Sequence, residues 1–403
     1  MGKDEKKLRA QNKKIEKVLK RAQESNAAKK KELIGELRVH KKGSPEYSRI
    51  SQEISKVGTI SDGTVKTYSD QAKGILKEAN QRFGVREWKH FKPEHAQKIL
   101  QSRIDQGMAA NSVRKTAHAL EYINKNVNKV NVFKKNQKIE VTDHKKMLET
   151  IKQNGVVRRA KDSHRLKANP EQARAVIKEM EKYNKHYADI ARYQLLSGFR
   201  ITEAVSQKAE YIDLENNKHQ AIDAKGGLNN VVYTSHHTKE DKEFLQSLKN
   251  GQDAETGRVF ERLKDKNGNY RKDSSVSKSV TRLARKCADK LGIEGAEGQT
   301  FSSHSFRGVY GLERMEEYAA HHDKLDGIIE EKIREQPRLY KKYVNFEARI
   351  REKIIVENRG DREITKEEKI RWLVSTDLNH SRQEVVRFYV DNMDISAAVQ
   401  KYS

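Results

Sequence analysis

Residues 195–204 read LLSGFRITEA, an apolar run that ends in Gly-Phe-Arg and then resumes with helical spacing. This pattern predicts that one helix stops at Gly198 and that another starts at Arg200. The N-terminus of a helix already carries partial positive charge, so an arginine there is unfavourable unless an anion binds beside it. Glu203, one turn further on, is spaced to hold the guanidinium in place. The stretch therefore predicts either an ordinary surface arginine or a site for an anion.

The sequence around this stretch predicts a mainly helical region with a small antiparallel β-sheet. Helical spacing begins at Pro170 and returns at 238–249, at 275–291 and throughout 300–403. Three short runs between these helical segments have strand character, with Asn-Asn and Gly-Gly pairs at the turns between them. These runs are Tyr211–Leu214, His219–Ala224 and Asn230–Ser235. We therefore expect residues 169–403 to form one mixed domain.

The first half of the chain shows helical patterns and no strand pattern. Residues 1–45 carry 15 lysines and arginines against 6 acidic residues, a net charge of +9 (15 − 6). We expect residues 1–60 to form a basic helical arm, either solvated or in contact with phosphates. Residues 64–130 are expected to form three or four short helices, one of them begun by a proline and two ended by glycines. Residues 131–168 are expected to be a basic linker.

The composition excludes several classes of protein. The 403 residues include 83 Lys and Arg against 58 Asp and Glu, a formal net charge of +25. No run of 18 apolar residues exists, and the single cysteine, Cys287, cannot form an internal disulfide. We expect a cytoplasmic protein without a membrane span, associated with the nucleoid when it binds DNA. A charge of this size attracts a polyanion, and nucleic acid is favoured over an anionic membrane surface.

Five further residues stand out, although each has an ordinary structural explanation when taken alone. His304 and Arg307 lie three apart in HSFR, and most such pairs are structural or on the surface. Lys225 lies at the predicted hairpin turn, where a solvated lysine is the default. Tyr389 follows His380 by nine positions in LNHSRQEVVRFYV, and its default role is a core aromatic with a satisfied hydroxyl.

In this order, the segments resemble the motifs of the tyrosine recombinases, also called the phage-integrase family. SGFRITEAVSQKAEYIDLENN is similar to the family's first arginine box, and HSFR is similar to its second. LNHSRQEVVRFYV resembles the histidine segment that ends in the nucleophilic tyrosine. Residues 64–126 resemble the helical core-binding domain, a SAM-like fold. The resemblance covers residues 64–403 and implies a helical core-binding domain followed by a mixed α/β catalytic domain.

The resemblance implies a reaction on DNA in which Arg200 and Arg307 clamp a phosphodiester. Negative charge grows on the non-bridging oxygens during in-line attack, and guanidinium hydrogen bonds strengthen as it grows. Glu203 supports the first arginine. Tyr389 is the nucleophile, and the product is a 3′-phosphotyrosyl link that conserves the bond energy, so rejoining needs no ATP.

The resemblance implies that three residues take part in proton transfer, and it implies no metal or cofactor. His304 and His380 add hydrogen-bond donors and proton-transfer capacity near neutral pH. Lys225 protonates the departing 5′-oxygen. His321-His322-Asp323 is the nearest approach to a metal cluster, but adjacent residues on a helix point apart, so a solvated face is favoured. Guanidinium groups take the electrostatic role that metals fill elsewhere.

The implied enzyme is a site-specific recombinase or integrase of a mobile genetic element, of the kind used in integration and transposition. Its implied partners are double-stranded DNA and further copies of itself, as a homodimer on one site and a homotetramer in the synaptic complex. Accessory DNA-bending or directionality proteins are further candidate partners. A telomere resolvase and a type IB topoisomerase share this chemistry and remain alternatives. A non-catalytic DNA-binding protein that kept the fold is the third alternative.

The sequence departs from the family pattern at two places. Between Arg307 and His380 lie 72 residues (380 − 307 − 1), more than the family usually has. The excess, about 315–370, is highly charged and predicted to be helical; a lid, a DNA-contacting insertion and a protein-docking element are its possible roles. Asn379 stands where the family often has glycine, and asparagine tolerates a left-handed backbone better than most residues.

Overall fold

The computed structural model describes residues 3–40, 44–133, 138–156, 166–224, 228–233, 238–296, 299–356, 363–380, 386, 389–390 and 392–403. The chain divides into two compact units, residues 1–161 and 162–403. The described residues are mostly helical, with one small three-stranded antiparallel sheet, so the predicted fold class is confirmed. Within these ranges every helix is too short or too polar to span a bilayer.

The described part of unit 1 is helical. Its helices are α1 (Lys3–Arg38), α2 (Pro45–Lys56), α3 (Asp62–Phe83), α4 (Pro93–Asp105), α5 (Ala110–Asn126) and α6 (His144–Gln153), with a 3₁₀ turn at Trp88–His90. Gly84 ends α3 with φ +68°, and Pro93 is the first residue of α4, as the sequence predicts. Helix α5 begins at Ala110.

The predicted arm and linker both contribute to the core of unit 1. Ile15, Val18 and Leu19 of α1 are fully buried in one hydrophobic cluster with side chains of α3 and α5. Helix α6 lies within the predicted linker, and its Met147 and Ile151 belong to the same cluster. Apolar residues spaced three and four apart form a continuous stripe on a helix, and burial of that stripe holds each helix in the bundle.

Along the chain of unit 2, helices precede and follow a short sheet. Its first elements are α7 (Pro170–Glu181), α8 (Lys185–Ser197), α9 (Ile201–Val205), a 3₁₀ turn at Ala209–Tyr211, β1 (Ile212–Asp213), β2 (Lys218–Ala224) and β3 (Leu228–Tyr233). The later ones are α10 (Lys239–Asn250), α11 (Asp273–Lys290), α12 (Ser303–Ala320), α13 (Leu325–Glu335), α14 (Arg338–Val356), α15 (Lys366–Asp377) and α16 (Asn392–Tyr402).

The sheet has the antiparallel order β1-β2-β3. Lys218 pairs with Tyr233 and Ala221 with Asn230, and the register becomes irregular between Ala221 and Ala224. Each strand overlaps the run that predicts it, although β1 has only two residues, β3 begins two residues early, and residues 234–235 of the third run lie outside the described residues. The first turn carries Asn217 at φ +51°, a left-handed angle that asparagine accepts more readily than most residues.

Helix α12 occupies the centre of unit 2 and packs against α7, α8, α15 and α16. Its inward side chains Phe306, Val309 and Tyr310 are buried, as are Leu195 and Phe199 on the neighbouring segment. This arrangement brings the end of α8, the start of α12 and the end of α15 to one place. Segments that are far apart in the sequence therefore meet on one helix.

Candidate active site

Arg200 lies at the junction between α8 and α9, where the chain turns at Gly198. Gly198 has φ +62°, and a Cβ at this position would overlap the ring of Tyr310. Glycine alone satisfies both the backbone angle and the close approach. The Arg200 amide donates to Oε2 of Glu203 (2.8 Å), and its Nη1 donates to Oε1 of the same carboxylate (2.9 Å). Glu203 thus caps the start of α9 and orients the arginine side chain.

Arg307 comes from the second turn of α12 and is buried, with 2% of its surface exposed. Its Nη1 donates to the carbonyl oxygen of Gly198, and its Nη2 donates to that of Leu378. Tyr389 lies near enough to act electrostatically on it. Burial lowers the pKa of Arg307 from its ordinary value, because water no longer solvates the charged form. The guanidinium is therefore positioned by main-chain carbonyls from two segments distant in sequence.

The segment after α15 completes the cluster. The carbonyl oxygen of Asn379 accepts a hydrogen bond from Nη2 of Arg200 (3.5 Å). Asn379 has φ +46°, the left-handed angle that the sequence allowed for, and the next amide, of His380, donates to the carbonyl of Ser375 (2.9 Å). The His380 ring stacks on that of Tyr389 with centroids 5.6 Å apart. This left-handed step turns the chain so that His380 faces the tyrosine.

Tyr389 is held against α12 beside two glycines. It is 6% exposed, and a Cβ on Gly308 or Gly311 would lie 3.7 Å from its atoms. A Cβ at either position would make an ordinary van der Waals contact with the tyrosine, so Tyr389 packs closely on the helix that carries Arg307. Its stacking on His380 and its electrostatic interaction with Arg307 place the phenol near an imidazole and a fixed cation.

The cluster carries more positive than negative charge. Arg200, Glu203 and Tyr389 are the groups that act electrostatically on Arg307. Two guanidinium groups therefore face one carboxylate among the described residues. A partly buried excess of positive charge is stabilised by a further anion, since electrostatic attraction is stronger away from bulk water.

The remaining predicted residues are placed as follows. His304 lies in the first turn of α12, one turn before Arg307, and is partly exposed. Lys225 falls outside the described residues; the strands on either side of it end at Ala224 and begin at Leu228. The structure thus brings together five of the predicted residues: Arg200, Glu203, Arg307, His380 and Tyr389.

No group of three or more His, Cys, Asp or Glu side chains that could share a metal ion occurs among the described residues. In the segment His321-His322-Asp323, the Nδ1 atoms of the two histidines lie within hydrogen-bond distance of the main-chain carbonyls of Glu317 (2.9 Å) and Ala319 (3.1 Å). The two imidazoles are thus engaged with the end of α12.

A buried ionic group beside the site was not recognisable in the sequence. Asp377, the last residue of α15, is 1% exposed and is bonded by Lys332, Arg314 and Tyr318. We call these four residues the Asp377 cluster. Burial acts to raise the pKa of Asp377, but the Lys332 and Arg314 cations outweigh it and hold the pKa below its ordinary value. The local sequence shows only that Asp377 lies within the largely apolar run WLVSTDL.

Comparison with protein-family models and with curated proteins found no match. Several solved structures are similar. The XerH site-specific recombinase bound to palindromic difH substrate matches over 96% of this chain and 96% of its own, at 13% identity and a TM-score of 0.49. The Tn1549 transposon integrase (residues 82–397) with circular intermediate DNA matches over 87% and 97%, at 13% identity and 0.44. Lambda integrase (residues 75–356) bound to DNA matches over 66% and 83%, at 14% identity and 0.42.

Proposed function

We propose that this protein is a tyrosine recombinase that cleaves and rejoins duplex DNA at specific sites through a 3′-phosphotyrosyl intermediate. The observation that carries the proposal is the packing of Tyr389 on α12 near the buried Arg307, with Arg200 and His380 in the same cluster. A phenol held against a fixed guanidinium is suited to attack a phosphodiester, because the same cation stabilises the nucleophile and the charge that develops on the phosphate oxygens.

The proposed step is a transesterification. The Tyr389 oxygen forms a bond to phosphorus while the bond from phosphorus to the 5′-oxygen breaks, so the number of phosphoester bonds is unchanged. The phenol loses a proton and the 5′-oxygen gains one. Arg200 and Arg307 donate to the non-bridging oxygens as they gain charge. The reverse reaction, with a 5′-hydroxyl from another strand, rejoins the DNA.

Proton transfer is assigned to three residues. The His380 ring stacks on Tyr389, and an imidazole can exchange protons near neutral pH. His304 lies one helical turn from Arg307, on the same side of α12. Lys225 is proposed as the general acid for the 5′-oxygen, on the resemblance alone.

We further propose that the protein acts as a homodimer on one DNA site and as a homotetramer when two sites are joined. Exchange between two duplexes requires four strands to be cut, and each cut needs one Tyr389. The net charge of +25 suits a partner that is a polyanion. The proposed setting is integration or excision of a mobile element, in the cytoplasm with the nucleoid.

The proposal is tested by trapping the covalent intermediate. A nicked duplex that carries the flanking sequences of the gene loses a short strand after cleavage, so the protein stays attached to the DNA. We expect the wild-type protein to form this adduct and Tyr389→Phe to form none, because the variant keeps the ring and lacks the attacking oxygen. Denaturing electrophoresis of end-labelled DNA measures the adduct, and a gel-shift titration checks that Tyr389→Phe binds as tightly as wild type.

Tyr402→Phe is the matched control, since Tyr402 is the other tyrosine of the C-terminal tail and is 40% exposed. An adduct with Tyr389→Phe at the wild-type level would contradict the assignment. On supercoiled plasmids that carry two such sites, recombinants support a recombinase. Relaxed circles alone would indicate a topoisomerase, and hairpin ends a telomere resolvase.

A further inference from the structure

The segment between Arg307 and His380 contributes buried polar side chains to the interior of unit 2. Lys332, near the end of α13, and Gln336, just after it, are 2% and 6% exposed. A buried lysine is unfavourable unless it is paired, because its charge loses the solvation of water. Both residues therefore mark a face of this segment that is committed to the interior of unit 2.

Lys332 and its neighbours fix Asp377 at both its side chain and its main chain. Nζ of Lys332 bonds Oδ1, and Oδ2 accepts from Nε of Arg314 (3.1 Å) and from the hydroxyl of Tyr318 (2.7 Å). The main-chain carbonyl of Asp377 accepts from Nδ2 of Asn230 on β3 (3.2 Å). With both ends bonded, rotation of this residue would break several hydrogen bonds at once.

The next two residues carry the carbonyl groups that hold the arginines. Leu378 accepts from Arg307, and Asn379 accepts from Arg200. Consecutive Cα atoms are about 3.8 Å apart, so a shift of Asp377 is passed directly to these two carbonyls. The position of the guanidinium pair therefore depends on how Asp377 is held.

The same end of α13 is also anchored to the sheet. Gln336 donates from Nε2 to the carbonyl of Val231 (3.1 Å) and accepts from the Val231 amide at Oε1 (3.4 Å), as a neighbouring strand would. Glu335 forms an ion pair with Lys218 (2.5 Å). If α13 moved as a lid, these bonds would break and the buried Asp377 carboxylate would lose its partner Lys332, which is unfavourable.

We propose that α13 is an internal brace of the active centre, in which Lys332 holds Asp377 and thereby positions the Leu378 and Asn379 carbonyls that orient Arg307 and Arg200. Lys332 and Asp377 are positioning residues, since neither touches the DNA phosphate in the proposed reaction. This inference rests on the proposed function and assigns a role to the segment that separates the two halves of the site.

The test is a double-mutant cycle between Lys332→Met and Arg307→Lys, read as the single-turnover rate of adduct formation at saturating DNA. Displacement of a positioned group by about 1 Å can slow a reaction about 100-fold, so we expect Lys332→Met to be about 10- to 100-fold slower than wild type. In the Arg307→Lys background the same substitution should slow the reaction less than about threefold, because the guanidinium that Lys332 helps to position is already absent. DNA affinity should stay within about twofold.

Asp377→Asn is measured in parallel, because it keeps the shape of the side chain and tests the same link if Lys332→Met does not fold. Lys341→Met is the matched control: it makes the same substitution at an exposed lysine of α14, and we expect the wild-type rate. Wild-type rates for both Lys332→Met and Asp377→Asn, or equal fold reductions in both backgrounds, would overturn the brace while the recombinase assignment stands. Absence of an adduct with the wild-type protein would overturn the proposed function and, with it, this inference.

Discussion

Gly198 is required both for its left-handed backbone angle and for the close packing of Tyr310. Its left-handed φ lets α8 end and α9 begin within a few residues, and its missing side chain lets the Tyr310 ring sit where a Cβ would be. Its carbonyl also accepts from Arg307. A substitution here should therefore affect stability and the arginine pair together.

We predict that Gly198→Ala destabilises unit 2 by about 2–5 kcal/mol, the sum of about 1–2 kcal/mol for a left-handed alanine and about 1–3 kcal/mol for overpacking. Gly292→Ala is the matched control, because Gly292 has φ +64° and no atom within 4 Å of its would-be Cβ. It should destabilise by only about 1–2 kcal/mol. Urea unfolding in a Trp88→Phe background measures both, since Trp372 then reports on unit 2 alone. Equal effects would show that Tyr310 moves aside freely.

Among the helices, α1 differs most from what its sequence suggests. Its acidic and basic residues suggest a solvated helix, yet Ile15, Val18, Leu19 and Ala22 lie in the core of unit 1. Four apolar side chains are enough to bury one face of α1, because their i, i+3, i+4, i+7 spacing places all of them on that face. Removal of residues 1–45 would therefore expose the core as well as remove charge.

We predict that Leu19→Ala lowers the free energy of unfolding of unit 1 by about 2–5 kcal/mol, because it leaves a cavity in a close-packed cluster. Lys20→Ala, at an exposed position of the same helix, should change it by less than about 0.5 kcal/mol. Urea unfolding in a Trp372→Phe background follows Trp88, which is fully buried in unit 1. Identical midpoints for the two variants would mean that α1 is detached in solution.

For the whole molecule, the net charge of +25 favours binding of a polyanion, and the affinity of such binding falls as the salt concentration rises. Lys13, Lys17 and Lys20 are exposed on one face of α1 and offer a surface for phosphates that does not enter the core. Their neutralisation tests the phosphate binding expected of the basic arm without disturbing Leu19.

We predict that the triple variant Lys13→Gln, Lys17→Gln, Lys20→Gln reduces the slope of log affinity against log salt concentration. The reduction should be about 0.9 for each phosphate of duplex DNA that the variant no longer neutralises. Fluorescence anisotropy of one labelled duplex across a salt series measures the slope. The double variant Lys239→Gln, Lys242→Gln on α10 is the control for removal of charge elsewhere. An unchanged slope for the triple variant would show that this face of α1 does not bind phosphates.

Local chain chemistry determined much of the architecture. Gly84 and Pro93 set the end of α3 and the start of α4, and the three short runs of strand character became β1, β2 and β3. Asn379 takes the left-handed angle that its residue type tolerates. These features follow from φ preferences and side-chain periodicity, which act within a few residues and can be identified without knowing which segments meet.

The tertiary structure alone decided which polar groups hold the candidate site in place. Lys332 lies in a run of charged residues and Asp377 beside apolar ones, and nothing local predicts that they pair. Likewise, Arg307 donates to the carbonyls of Gly198 and Leu378, although every residue of the chain carries a carbonyl. Such bonds depend on the packing of α8, α13 and α15 around α12, because a buried charge or donor must bond whichever group the fold brings within reach.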